Sequence, residues 1–115
     1  MSLVARHLEA NGLPTVIIGS ALDIVEHCGV PRFLFTDFPL GNPCGAPGDT
    51  AAHDLTLSLA LDLVEHAVAP ESTVQAPLRW PTDDWRDSYM RVDDSNRAEL
   101  LAAGEARRAK QRRAK

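Results

Sequence analysis

Two continuous apolar runs dominate the hydropathy pattern, and each predicts a strand buried on both faces. The first, "LPTVIIGS", is rich in β-branched residues and is bounded by Pro14 and Gly19. The second, "RFLFTDF", follows directly on Pro31. Helical spacing surrounds both runs. In "SLVARHLEANG", Ser2 suits the N-cap, Leu3, Val4 and Leu8 form an apolar side, and Gly12 suits the position just past the end. Ser20 with Asp23 gives a capping-box pattern for a short helix through Cys28, ended by Gly29. Asp49 or Thr50 caps a long helix, "TAAHDLTLSLALDLVEHAVAP", which stops at Pro70. Its polar stripe is Asp54, Ser58, Asp62 and Glu65; the rest of its circumference is apolar, which predicts broad coverage rather than one seam.

The order α-β-α-β-loop-α predicts an α/β fold: a partial Rossmann-like or flavodoxin-like parallel sheet with helical crossovers. Beyond Pro70 the pattern weakens. Val74 marks a short candidate strand, but "STVQAPLRWPTDDWRDSYMRVDD" keeps no sustained period. Trp80, Trp85 and Tyr89 are candidate apolar anchors for a neighbouring surface. The Ala-, Arg- and Lys-rich end predicts a helix. The chain thus divides into an α/β segment over 1–75, an irregular aromatic-bearing connector over 76–94 and a basic helix or tail over 95–115. Two clear strands are fewer than the roughly three that a stable sheet needs. The sheet is therefore expected to be completed by another chain, either a second copy or a different protein.

Composition narrows the class. The chain has 115 residues, 44% of them hydrophobic and 24% charged, as expected for one ordinary globular domain. No apolar run approaches the ~18–20 residues of a membrane span, and "MSLVARHLEANGLP" lacks the apolar core of a signal peptide. No membrane association and a cytoplasmic location are expected. Cys28 and Cys44 lack CxxC spacing and predict reduced thiols rather than a disulfide framework.

The net charge of −4 conceals an asymmetry: residues 1–105 carry −10, and the final ten, "ARRAKQRRAK", carry +6. A basic tail can meet phosphates. The acidic body argues against nucleic acid and for a helix end that answers the body's own charge, or for an acidic partner.

Candidate chemistry concentrates beyond the carboxyl ends of the two strands, where open parallel sheets hold ligands. "GSALD" offers Ser20 and Asp23, and "DFPLGNPCGAPGD" offers Asp37, Asn42, Cys44 and Asp49. Both connections feed helix N-termini with free backbone N–H groups. Each of these residues also has an ordinary role as a turn or cap. Gly41, Gly45 and Gly48 form neither a Walker loop nor GxGxxG, so no nucleotide cofactor is implied. His7, His27, His53 and His66 lack ligand spacing, and no metal is expected. Cys44 is the more interesting thiol, since a nearby helix N-terminus would raise its thiolate fraction.

The segments "GLPTV", "GVPRF" and "PLGNP", with the long helix "LSLALDLVEHAV" after them, carry a resemblance. Over roughly residues 3–75 the chain resembles the C-terminal part of selenoprotein B of the glycine/sarcosine/betaine reductases. It is similar above all to the cysteine-containing actinobacterial relatives labelled glycine or D-proline reductase-like. The resemblance implies a thiol- or selenol-dependent reductase in which a cysteine or selenocysteine attacks the substrate carbon and displaces an amine. Thiols then reduce the selenoether or thioether.

That nucleophile lies just before the helix matching Ser2–Asn11, upstream of Met1, and Ser2 cannot replace it. The resemblance therefore carries over a scaffold and a pocket loop: Pro39, Leu40, Gly41, Asn42 and Pro43. Ser20, Asp37, Gly41, Asn42 and Pro43 are the expected substrate-binding residues, with Cys44 a candidate resolving thiol only. The implied partner is a larger Cys- or Sec-bearing subunit, or a second copy, sharing a small-molecule site; a longer native reading frame is the other way to supply the nucleophile. A non-catalytic protein-binding or assembly module is the alternative function.

Overall fold

The computed structural model describes residues 1–89 and 91–113. The chain separates into two units, Met1–Asp83 and Asp84–Lys115. The first unit runs α1 (Ser2–Ala10), β1 (Ile17–Gly19), α2 (Leu22–His27), β2 (Arg32–Phe35), α3 (Thr50–His66) and β3 (Ser72–Gln75). The second holds α4 (Asp84–Ser88) and α5 (Arg97–Arg113). No helix among the described residues is long and apolar enough to cross a membrane.

The three strands form one parallel sheet in the order β1-β2-β3. The weak signal near Val74 is thus a third strand, and the sheet reaches three within this chain. Ile18, Leu34 and Val74 share one register row, as do Gly19, Phe35 and Gln75. Only the central β2 is buried on both faces, with Phe33 and Leu34 at 1% and 0% exposure. β1 is half-buried throughout rather than enclosed, because it lies at an edge of the sheet. β3, the other edge, is mostly exposed. The strand order never reverses among the described strands, whereas the Rossmann and flavodoxin orders place their ligand where it does.

α3 seals one face of the sheet. Leu34, Ala60, Leu63 and Ala76 make the core, with Val16, Ile18, Leu59, Ala67 and Leu78 against it. Its buried residues, Ala52, Thr56, Ala60 and Leu63, fall at i, i+4, i+8 and i+11, a single narrow stripe of mainly small side chains. The described residues of this chain cover only that stripe and leave Leu55, Leu57 and Leu61 exposed.

The helix ends differ from the capping pattern at two points. α1 begins one residue early, with Met1 as N-cap, because Ala5 N–H already donates to the Met1 carbonyl. α2 is capped by Ala21 with no side-chain bond, and the Ser20 hydroxyl turns instead toward Thr36. Asp49 does cap α3, its carboxylate accepting from the Ala52 N–H at 3.0 Å. Gly12 and Gly29 stand just past α1 and α2 with φ of 81° and 60°, as the C′ position requires. α3 ends at His66, four residues before Pro70, where Ala67 adopts extended backbone.

The first helix is fastened to the sheet by Glu9. Its carboxylate accepts from the Arg32 guanidinium and from the Thr15 N–H, both at 2.8 Å, and Arg6 donates to the Cys28 carbonyl. The Arg32 hydrogen bond holds the Glu9 carboxyl below its ordinary pKa, against a smaller upward push from burial and with help from Thr15. A depressed carboxyl stabilises the fold above its unfolded pKa, and that contribution disappears as pH falls through the folded one. Glu9→Gln should therefore remove part of the acid limb of the stability profile below about pH 4.5. Near neutrality it should cost about 1 kcal/mol or less. Urea melts of both proteins between pH 3 and 7 test this, and parallel profiles across that range would refute it.

Candidate functional site

The carboxyl ends of β1 and β2 meet at Thr36, a fully buried residue that the sequence reading passed over. Its N–H donates to the Gly19 carbonyl at 2.9 Å, which extends the ladder by one residue. Its hydroxyl donates to the Pro43 carbonyl at 2.8 Å. With that proton committed, the 3.4 Å contact between Ser20 Oγ and Thr36 Oγ1 has serine as the donor. A hydroxyl chain therefore runs from the first turn through the second strand into the loop.

A second buried threonine holds the next residue. Thr56, also at 0% exposure, donates its hydroxyl to the Cys44 carbonyl at 3.2 Å. The two threonines thus fix consecutive carbonyls, Pro43 from the sheet and Cys44 from α3. Between them the loop turns tightly, with Asn42 N–H donating to Pro39 and Gly45 N–H to Asn42. Gly45 is buried with φ of 135°, and a Cβ there would lie 3.0 Å from the His53 ring and 3.1 Å from Ala52. Only glycine fits that close passage over the start of α3. At the loop's other end Phe38 is buried and meets Trp80 at a tilt, ring centroids 5.5 Å apart. Trp80 therefore props the loop from within the first unit.

These contacts sort the expected site residues. Ser20, Asn42, Pro43 and Asp37 are half-buried, Gly41 and Cys44 exposed, and all lie on the two connections beyond the strand ends. Ser20 is engaged with Thr36, and Pro43 gives its carbonyl to the same group. The Asn42 side chain makes no hydrogen bond to the described residues, so its amide stays available. Gly41, with φ of 98°, has open space where a side chain would be.

Cys44 is exposed, five positions before the Asp49 cap. The Asp49 carboxylate already occupies the α3 N-terminus, which the sequence reading left open to an anion. Neither cysteine is in a disulfide. The described residues hold no group of three or more metal-type ligands.

Concavities of the first unit also lie elsewhere among the described residues. One of about 400 Å³ runs along the β3 edge, between Leu59 and Leu63 of α3 and Val74. Another, about 280 Å³, opens beside the Glu9–Arg32 pair and Ala67–Pro70. In the second unit Trp85 and Tyr89 meet edge-on at 6.3 Å, with the Arg86 guanidinium 4.6 Å from the Trp85 ring. The turn into α5 is closed by Asp93, whose carboxylate accepts from the Ser95 N–H and hydroxyl and lies below its ordinary pKa on that account. No protein-family model, curated protein or solved structure matches the chain.

Proposed function

We propose that this chain is a small subunit or fragment of a thiol- or selenol-dependent reductase resembling selenoprotein B, and that it supplies one wall of a shared site. The observation that carries the reading is the pinned loop. Two buried threonines and a glycine without room for a side chain fix Pro39–Cys44 beyond the strand ends. Asn42 is half-buried there, and Cys44 is exposed with a free thiol. A loop held this firmly can orient a small carboxylate- or amine-bearing substrate at little entropic cost. Asp37, Gly41, Asn42 and Pro43 would line that wall, with Ser20 behind it.

The displacing sulfur or selenium belongs to another chain in this reading. Cys44 would act afterwards. Its thiolate attacks the partner's sulfur, the sulfur–carbon bond breaks, and the carbon leaves with that electron pair and takes up a proton. The resulting inter-chain disulfide is reopened by an external dithiol. A strand from that chain along the outer edge of β1 would also complete the partial sheet and create the crevice that the order β1-β2-β3 lacks. The assembly-module alternative draws on the exposed leucines of α3 instead.

Native mass spectrometry of the protein taken from its own host under non-reducing conditions tests the reading. A larger co-purifying chain with a cysteine or selenocysteine motif is the expected result. Homo-oligomers alone, with free thiols, would overturn it. In the complex, Cys44→Ser should abolish a reductant-sensitive cross-link between the chains, and a cross-link that persists excludes the resolving role.

A further inference from the structure

We infer that His53 is the acid–base partner of Cys44: rotation about the first side-chain bond of Cys44 brings its thiol onto the imidazole, which takes the proton when the sulfur attacks and returns it to the departing carbon. The chemical step deepens the reductase reading and rests on it. The pairing of the two side chains rests on geometry alone.

The first turns of α3 bring the two residues together. Gly45 crosses the helix so closely that a Cβ there would lie 3.0 Å from Cδ2 and 3.4 Å from Nε2 of the His53 ring. Three residues further along, Thr56 holds the Cys44 carbonyl at 3.2 Å. Helix residues three apart share a face, so Cys44 and Gly45 are laid along the strip that joins Thr56 to His53. Cys44 is exposed and His53 half-buried, which leaves the strip open to a reacting group.

The imidazole is also uncommitted. The Asp49 carboxylate and the Thr56 hydroxyl are spent on backbone groups, and the His66 ring is held by Asp62. The His53 ring nitrogens make no hydrogen bond or ion pair among the described residues. Histidine is the side chain best suited to accept a proton and hand it on. Nine positions separate Cys44 from His53, and only the bare backbone of Gly45 lets the ring approach the loop.

The pair completes the proton balance of the resolving step. His53 takes the Cys44 proton, the thiolate attacks the partner's sulfur, and the sulfur–carbon bond breaks with its electron pair on carbon. The imidazolium then protonates that carbon. His53 ends neutral, the product carries the hydrogen that began on Cys44, and the external dithiol reopens the disulfide.

Alkylation of the full chain by iodoacetamide, with Cys44 and Cys28 followed separately by peptide mass spectrometry, tests the pairing without a partner chain. His53→Gln should slow alkylation of Cys44 about tenfold or more and leave Cys28 unchanged. Free imidazole should restore the Cys44 rate in His53→Ala, a rescue that a merely structural histidine would not show. Amide exchange over residues 37–49 should match the parent chain in both variants. An unchanged Cys44 rate in His53→Gln overturns the inference. So does a slowed rate that imidazole fails to restore, or one accompanied by faster exchange across the loop. Native mass spectra showing no larger partner would instead overturn the reductase reading, and the chemical step with it, whatever the alkylation rates.

Discussion

Leu34→Ala should lower the melting temperature of the first unit by at least about 10 °C. Leu34 has 0% exposure at the centre of the middle strand, and Ala60, Leu63 and Ala76 close around it. Truncation removes its transfer free energy and leaves a cavity that α3 cannot collapse into, because its facing residues are small and the helix already sits close to the sheet. Such substitutions cost about 2–5 kcal/mol. In a unit of this size each kcal/mol moves the midpoint by about 4–8 °C. Leu3→Ala is the control: at 74% exposure it should change stability by about 0.5 kcal/mol or less. Thermal melts followed by circular dichroism decide between them. A fall of under about 3 °C for Leu34→Ala would mean that the core is not built around this strand.

The second large effect concerns the loop. Thr36→Val and Thr56→Val keep the side-chain shape but delete the hydroxyls that hold the Pro43 and Cys44 carbonyls. Each should cost about 1–3 kcal/mol, because a carbonyl accepted in the interior loses its donor. The two hydroxyls grip adjacent residues, so the double variant should cost less than the sum. Once one anchor is gone, the other already holds a loosened segment. Amide exchange over residues 37–49 should rise in each single variant, with the Gly45 N–H to Asn42 bond a direct reporter. Unchanged exchange in the double variant would show that the prolines and Gly45 hold the loop by themselves. In that event the pinned wall loses its cause, and the reductase reading loses its main support.

Much of the fold was legible because its signals are local. Asp49 as a cap, Gly12 and Gly29 as helix stops, and a strand opening at Arg32 each follow from neighbours in sequence and are found, although the strand stops at Phe35 rather than running through "RFLFTDF". The third strand was half-legible. "STVQ" carries little hydrophobicity, since an edge strand needs only one covered side, and Val74 is its sole large apolar residue. Ser20 as a cap failed for a tertiary reason: Thr36, sixteen residues away, competes for its hydroxyl.

The candidate site was legible as a place but not as a mechanism of support. Composition marked Asp37–Asp49 as a loop beyond a strand. It could not mark Thr36 and Thr56, which look like ordinary members of an apolar run and of a helix. Their only trace was a hydroxyl residue at positions that the periodicity assigns to the interior. The breadth of the apolar surface of α3 was likewise visible, but not which stripe of it the sheet would cover.

The monotonic strand order has a consequence for how the protein is made. Each strand pairs with the one synthesised just before it, through a single crossover helix. When β2 leaves the ribosome its partner β1 is already free, and when β3 emerges the growing edge is waiting for it. No strand must be inserted between two others, and no long loop must close early. The sheet can therefore assemble during translation at its advancing edge, with α3 sealing the face once Leu34 is in place.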